Sequence, residues 1–167
     1  MGLIYWLGGL GQDNYTLTET IAATDTVRIA TGDSYDKATG FALGTGTISI
    51  VGVDKLDLAS TLIATNAAAV DGVNSGTIFS HSINNGIISF DSVNNYTSPL
   101  TVTTNLADVF GYLQANITGG NTVAFVAEGN TFVFQDGGVT DTLVELVGVS
   151  ANSVNTTGLG VGSVWIA

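Results

Sequence analysis

The chain has 167 residues, with 3 basic side chains against 14 acidic ones and a formal charge of −11. Nucleic-acid backbones and anionic lipid surfaces are met by Lys and Arg, and Arg28, Lys37 and Lys55 are the whole supply, so both partner classes are excluded. Cysteine is absent, which removes disulfides and thiol chemistry, and no run of about 18 apolar residues offers a transmembrane segment.

Apolar residues make up 45% of the chain, enough for a packed core. Glycine numbers 22, proline 1, and Thr, Asn and Val are abundant, which favours strands joined by Gly/Asn turns. From the start, residues 1–10 are apolar but lack the basic segment of a signal peptide, and the pattern opens as though within a longer protein. Strands are expected at 3–7, 15–17, 26–30, 47–51 and 56–58. A small, polar stretch at 64–76 reads as a linker between a front part, 1–63, and a back part, 77–167. In the back part strands are expected at 76–80, 86–90, 100–103, 122–127, 131–135 and 142–149. Turn signals separate several of these: Asn84-Asn85-Gly86, Glu128-Gly129-Asn130 and Asp136-Gly137-Gly138. One helix is expected at 106–115, capped by Asn105, with Leu106, Val109, Phe110, Leu113 and Ile117 at helical spacing. Residues 150–162 are rich in Asn, Thr and Gly, and an apolar tetrad, Val164-Trp165-Ile166-Ala167, closes the sequence. The expected core is Ile29, Phe41, Leu56, Leu58, Ile88, Phe90, Phe110, Leu113, Phe125, Phe132, Phe134, Leu143 and Leu146.

The strongest motif is Gly8-Gly9-Leu10-Gly11-Gln12-Asp13-Asn14-Tyr15-Thr16, which fits the calcium-binding nonapeptide G-G-x-G-x-D-x-U-x, with U apolar or aromatic. Glycines permit the tight turn and bare backbone carbonyls, Asp13 supplies a hard carboxylate oxygen suited to calcium, and Tyr15 points inward. Only one full copy occurs, and an ion in such a turn needs ligands from a second turn stacked on the first. The other reading is a Gly-rich turn that holds no metal.

Further motifs follow in order: Asp25-Thr26, Gly32-Asp33-Ser34, Tyr35-Asp36, Phe41 and Asp54-Lys55-Leu56-Asp57-Leu58. This succession resembles the region where the β-roll of RTX proteins and serralysin-type proteases ends. It departs from the family pattern at Gly40, where an acidic residue is usual, and in the insertion at 44–52. The back part, from Gly129-Asn130-Thr131-Phe132 to Asp136 and from Asp141 to Val149, is similar to the last strands of such proteins. The resemblance implies an all-β chain: a short calcium parallel β-roll leading into an antiparallel β-sandwich with one short helix. It implies calcium held by Asp13, Asp25, Asp33 and Asp36, with carbonyls from Gly8, Gly9 and Gly11. It further implies a secreted or cell-surface location, reached through a type I secretion exporter, with folding triggered by calcium outside. Carboxylate repulsion would hold the chain open where calcium is scarce. The closing tetrad resembles a type I export signal, without the usual preceding Asp, and reads equally as a last core strand.

His81 is the only histidine, too few for a zinc site and a thin basis for a Ser–His–Asp triad. No H-E-x-x-H or phosphate-binding loop occurs. Asp54, Asp57, Asp136 and Asp141 read as turn residues or solvated faces rather than acid/base pairs, and Trp6 and Trp165 as core or edge aromatics. The expectation is a non-catalytic structural domain of an RTX surface-layer protein that assembles as a homo-oligomer or lattice. The alternatives are the terminal domain of an adhesin that binds a surface ligand, and the carboxy-terminal domain of a secreted protease.

Overall fold

Strands β1 (Tyr5–Leu7), β2 (Asn14–Thr16), β3 (Thr26–Arg28), β4 (Tyr35–Thr39) and β5 (Lys55–Asp57) alternate between two sheets. In the computed structural model, which describes residues 5–30, 32, 35–45, 52–97, 99–100, 106–156 and 163–167, β1, β3 and β5 pair in parallel in one sheet. In the other, β2 and β4 pair in parallel. The chain thus winds, each turn laying one strand on each sheet.

The rest of the chain supplies β6 (Leu62–Ile63), β7 (Ala67–Ser75), β8 (Ile78–Asn84), β9 (Ile87–Asp91), α1 (Leu106–Asn116), β10 (Asn121–Ala127), β11 (Asn130–Gln135), β12 (Thr142–Val147), β13 (Val154–Thr156) and β14 (Val164–Ile166). The five-stranded sheet runs β1-β3-β5-β14-β13, and the nine-stranded sheet runs β2-β4-β12-β11-β10-β9-β8-β7, with β6 paired to β10. Two tight hairpins carry the expected turns. Asn85-Gly86 (φ 51° and 76°) joins β8 to β9, and Glu128-Gly129 (φ 52° and 78°) joins β10 to β11. Two successive positive φ angles give the turn twist that matches paired strands.

The molecule has three layers. Between the sheets lie Val27, Leu56 and Ile166 from one and Ala38, Val144 and Leu146 from the other. On its opposite face the larger sheet packs Phe90, Phe125, Phe132 and Phe134 against Val109, Tyr112 and Leu113 of α1. Side chains alternate across a strand, so Phe132 and Phe134 reach the helix layer while Val133 reaches the other sheet. The rings of Phe125 and Phe132 stack with centroids 5.1 Å apart. Of the expected core, only Phe110 is partly rather than fully buried.

The all-β reading with one short helix holds, and α1 closely matches its expected span. Three details differ. Residues 64–76, read as a linker, contain the whole nine-residue strand β7, which pairs with β8. The front and back parts are not separated, because β4 pairs with β12 and β5 with β14. The Asn/Thr/Gly-rich stretch contains β13; Val164–Ile166 of the closing tetrad form β14 between β5 and β13 with Trp165 fully buried, which matches the last-core-strand reading. The strand expected at 47–51 and the Asn105 cap lie outside the described residues, as does all but Leu100 of the strand expected at 100–103.

Candidate functional site

Four times the winding repeats Asp, any residue, then an inward residue: Asp13-Asn14-Tyr15, Asp25-Thr26-Val27, Asp36-Lys37-Ala38 and Asp54-Lys55-Leu56. The inward residues are all buried. Parallel register sets Tyr15 beside Ala38 and Val27 beside Leu56. Each aspartate therefore stacks on its counterpart one turn away, at the roughly 4.8 Å spacing of neighbouring strands. Two stacks result, one at the mouth of each sheet.

In the first stack the Asp13 backbone N–H donates to Asp36 Oδ1 at 2.8 Å, and the Lys37 N–H donates to the Asp13 carbonyl at 2.9 Å. The Asp13 carboxylate accepts the Gly9 N–H at 2.9 Å, closing the glycine loop on itself. Gly11, at φ 119°, takes a backbone conformation that favours glycine. Gly8 is required for a different reason: a Cβ there would overlap the Tyr15 hydroxyl and lie 2.8 Å from Asp13 Oδ2. The Tyr15 hydroxyl is buried beside these carboxylates and has no hydrogen-bond partner among the described residues. Burial, then the charges of Asp36 and Asp13, push the Tyr15 phenol up to about 12. Asp36 is itself buried, and its carboxyl is held above the usual range by desolvation and by Asp13, against the opposing pull of the Asp13 N–H.

The second stack repeats this pattern, with the Lys55 N–H donating to the Asp25 carbonyl at 2.9 Å, and adds one bond from Ala42. Asp54 Oδ1 accepts the Asp25 N–H at 2.9 Å and Oδ2 accepts the Ala42 N–H at 2.8 Å, so one buried carboxylate ties together two stretches of backbone. Desolvation raises the Asp54 carboxyl despite both bonds, and Asp25 and Glu19 add to the rise. This arrangement is a staple.

Of the expected ligands, Gly8, Gly9, Asp13 and Asp36 are thus brought together and Gly11 lies in the same loop, whereas Asp25 stands in the other stack and Asp33 lies outside the described residues. Gly9 faces Asp13 through its N–H. Asp54 and the Tyr15 hydroxyl were not among the expected site residues, although the fourfold Asp-x-apolar repeat is visible in the sequence. Among the described residues no three His, Cys, Asp or Glu side chains converge on one point. The first stack nonetheless offers hard oxygens, an unpartnered phenol and a glycine-bared cradle, a donor set suited to a hard cation.

Two further polar clusters are structural. Glu145, buried on the helix-layer face of β12, accepts from the Tyr35 hydroxyl, pairs with Lys37 Nζ at 2.9 Å and accepts from Asn130 Nδ2 at 2.6 Å. His81 is buried, its Nδ1 lies 3.0 Å from the Tyr112 hydroxyl, and desolvation lowers its pKa. No family model, curated protein or solved structure matches this chain.

Proposed function

We propose that this chain is a non-catalytic structural segment of a secreted or cell-surface protein of the RTX kind, tightened by calcium after export. The observation that supports the reading most is the stacking of Asp13 on Asp36 beneath the Gly8–Gly11 loop. The buried Asp36 and Tyr15 and the half-buried Asp13 stand together in a chain whose formal charge is −11. Charged carboxylates held this close repel one another, and a divalent cation would offset the repulsion. Asp13 and Asp36 would hold calcium there, which when bound supplies charge compensation and a cross-link between two turns. Asp54 already makes the equivalent cross-link on the opposite side with its own carboxylate.

Export through a type I exporter is compatible with β14 only if the exporter engages the tetrad before folding, since Val164, Trp165 and Ile166 are buried once folded. A calcium titration followed by circular dichroism and thermal melting, with chelator as control, tests the reading. A reversible rise in melting temperature with calcium supports it. Identical melts in calcium and chelator reject it.

A further inference from the structure

Lys37, Glu145 and Asn130 stand on three neighbouring strands, β4, β12 and β11, with Glu145 on the middle one. Lys37 is paired in register with Glu145. All three project on the helix-layer face, because alternation along each strand sets Lys37 with Tyr35, Glu145 with Leu143 and Asn130 with Phe132.

Their contacts are directional. Glu145 Oε2 meets Lys37 Nζ at 2.9 Å, while Oε1 accepts from Asn130 Nδ2 at 2.6 Å. The other end of that amide is held as well, since Asn130 Oδ1 accepts the Gly148 N–H at 2.8 Å. A carboxylate accepts and a backbone N–H donates, so the network fixes which end of the amide is which. The Glu145 side chain is 7% exposed. The Tyr35 ring stacks on Phe132 at 6.5 Å, and Lys37 Nζ lies 5.1 Å from its centroid. An ion pair that only braced the sheet would need neither the amide nor the donor on its carbonyl.

We propose that Lys37 and Asn130 join in an intramolecular amide bond, with Glu145 as the proton carrier. The pair rests as ammonium and carboxylate, because hydrogen bonds to Tyr35 and Glu145 hold the Lys37 amine above its ordinary value. Burial penalises both charges, which eases passage of the Lys37 proton to Glu145. The Lys37 side chain is 38% exposed and has room to turn from Oε2 towards Asn130. Its freed Nζ attacks Asn130 Cγ, and the Gly148 N–H faces the oxygen on which negative charge develops. Glu145 gives its proton to Nδ2 and takes one from Nζ. The Cγ–Nδ2 bond breaks, the Nζ–Cγ bond stays, and ammonia leaves with the last proton as ammonium. The carboxylate is restored, and no oxidant or cofactor is consumed. The step is slow, because its first event opposes the ion pair. The product ties β4 to β11 across β12, and it forms independently of calcium.

Intact-mass measurement of the whole chain, after long incubation in chelator, tests the proposal. A mass lower by one ammonia is expected. Trypsin cuts after Arg28, Lys37 and Lys55, so the cross-linked chain should resist the cut after Lys37 and carry residues 29–55 as a branch on 56–167. Lys37→Arg keeps the charge but lacks a nucleophilic amine, and it should fold with an unchanged circular dichroism spectrum and full mass. Glu145→Gln should also keep full mass. A parent chain of full mass that is cut after Lys37 overturns the proposal. Loss of ammonia with Lys37 still open to trypsin overturns it too, since the Asn85-Gly86 turn can shed ammonia by itself. Loss that survives Lys37→Arg or Glu145→Gln does the same.

Discussion

The Tyr15 hydroxyl occupies the space that a Cβ on Gly8 would need. Tyr15 belongs to the buried core, so its ring has little freedom to retreat. Gly8→Ala should therefore cost about 1–3 kcal/mol through overpacking. Gly9→Ala, where an added Cβ meets nothing, should be close to neutral. Chemical denaturation of both variants reads the difference.

Asp54 makes a sharper case. Replacing it with Ala strands the Asp25 and Ala42 N–H groups, and each unsatisfied buried donor costs ~1–3 kcal/mol. Asp54→Ala should rank among the most damaging single changes in the winding. Asp57→Ala, whose carboxylate meets Arg28 at 3.9 Å and the Tyr5 hydroxyl on the outer face, should cost well under that. The denaturation midpoints of the two variants are the check.

Stability should respond to pH in two opposed ways. Asp36 and Asp54 have carboxyls raised by burial. Their contribution is present below the ordinary carboxylate range and is lost as pH rises through their folded values. Glu145 is lowered, because Tyr35, Lys37 and Asn130 favour its charged form over the cost of burial. Its contribution is present above the ordinary range and is lost as pH falls. Glu145→Gln should thus destabilise at neutral pH and matter least in acid, while Asp36→Asn should relieve a penalty at neutral pH in chelator. Melting temperatures of the two variants from pH 3 to 7 test both signs.

Much of the back sheet was legible from local signals. Asn85-Gly86 and Glu128-Gly129 sit between β-branched and aromatic runs, and both became two-residue hairpins. β7 was not legible, because Ala67-Ala68-Ala69 has weak strand preference and the strand exists through its pairing with β8. The site divides in the same way. Asp13 is marked by its glycines, whereas the pairing of Asp25 with Asp54 depends on register between turns 29 residues apart. Only the repeated Asp-x-apolar spacing hints at that pairing.

The closing strand gives a fourth prediction. Trp165 fills the space beside Gly44, where an added Cβ would collide with its ring, and β14 bridges β5 to β13. Deleting residues 164–167 splits the smaller sheet and empties the pocket of a fully buried tryptophan. The truncated chain should lose cooperative thermal unfolding, and Gly44→Ala should destabilise by about 1–3 kcal/mol. Differential scanning calorimetry distinguishes the two outcomes.

On the proposed reading the Asp13–Asp36 stack takes a cation, while the Asp25–Asp54 stack is already tied by its own backbone bonds. Calorimetric titration of calcium into the parent chain, Asp36→Asn and Asp54→Asn tests it most directly. Saturable binding to the parent chain and to folded Asp54→Asn is expected, with its loss in Asp36→Asn. Absence of binding to the parent chain, or binding that Asp36→Asn leaves intact, would contradict it.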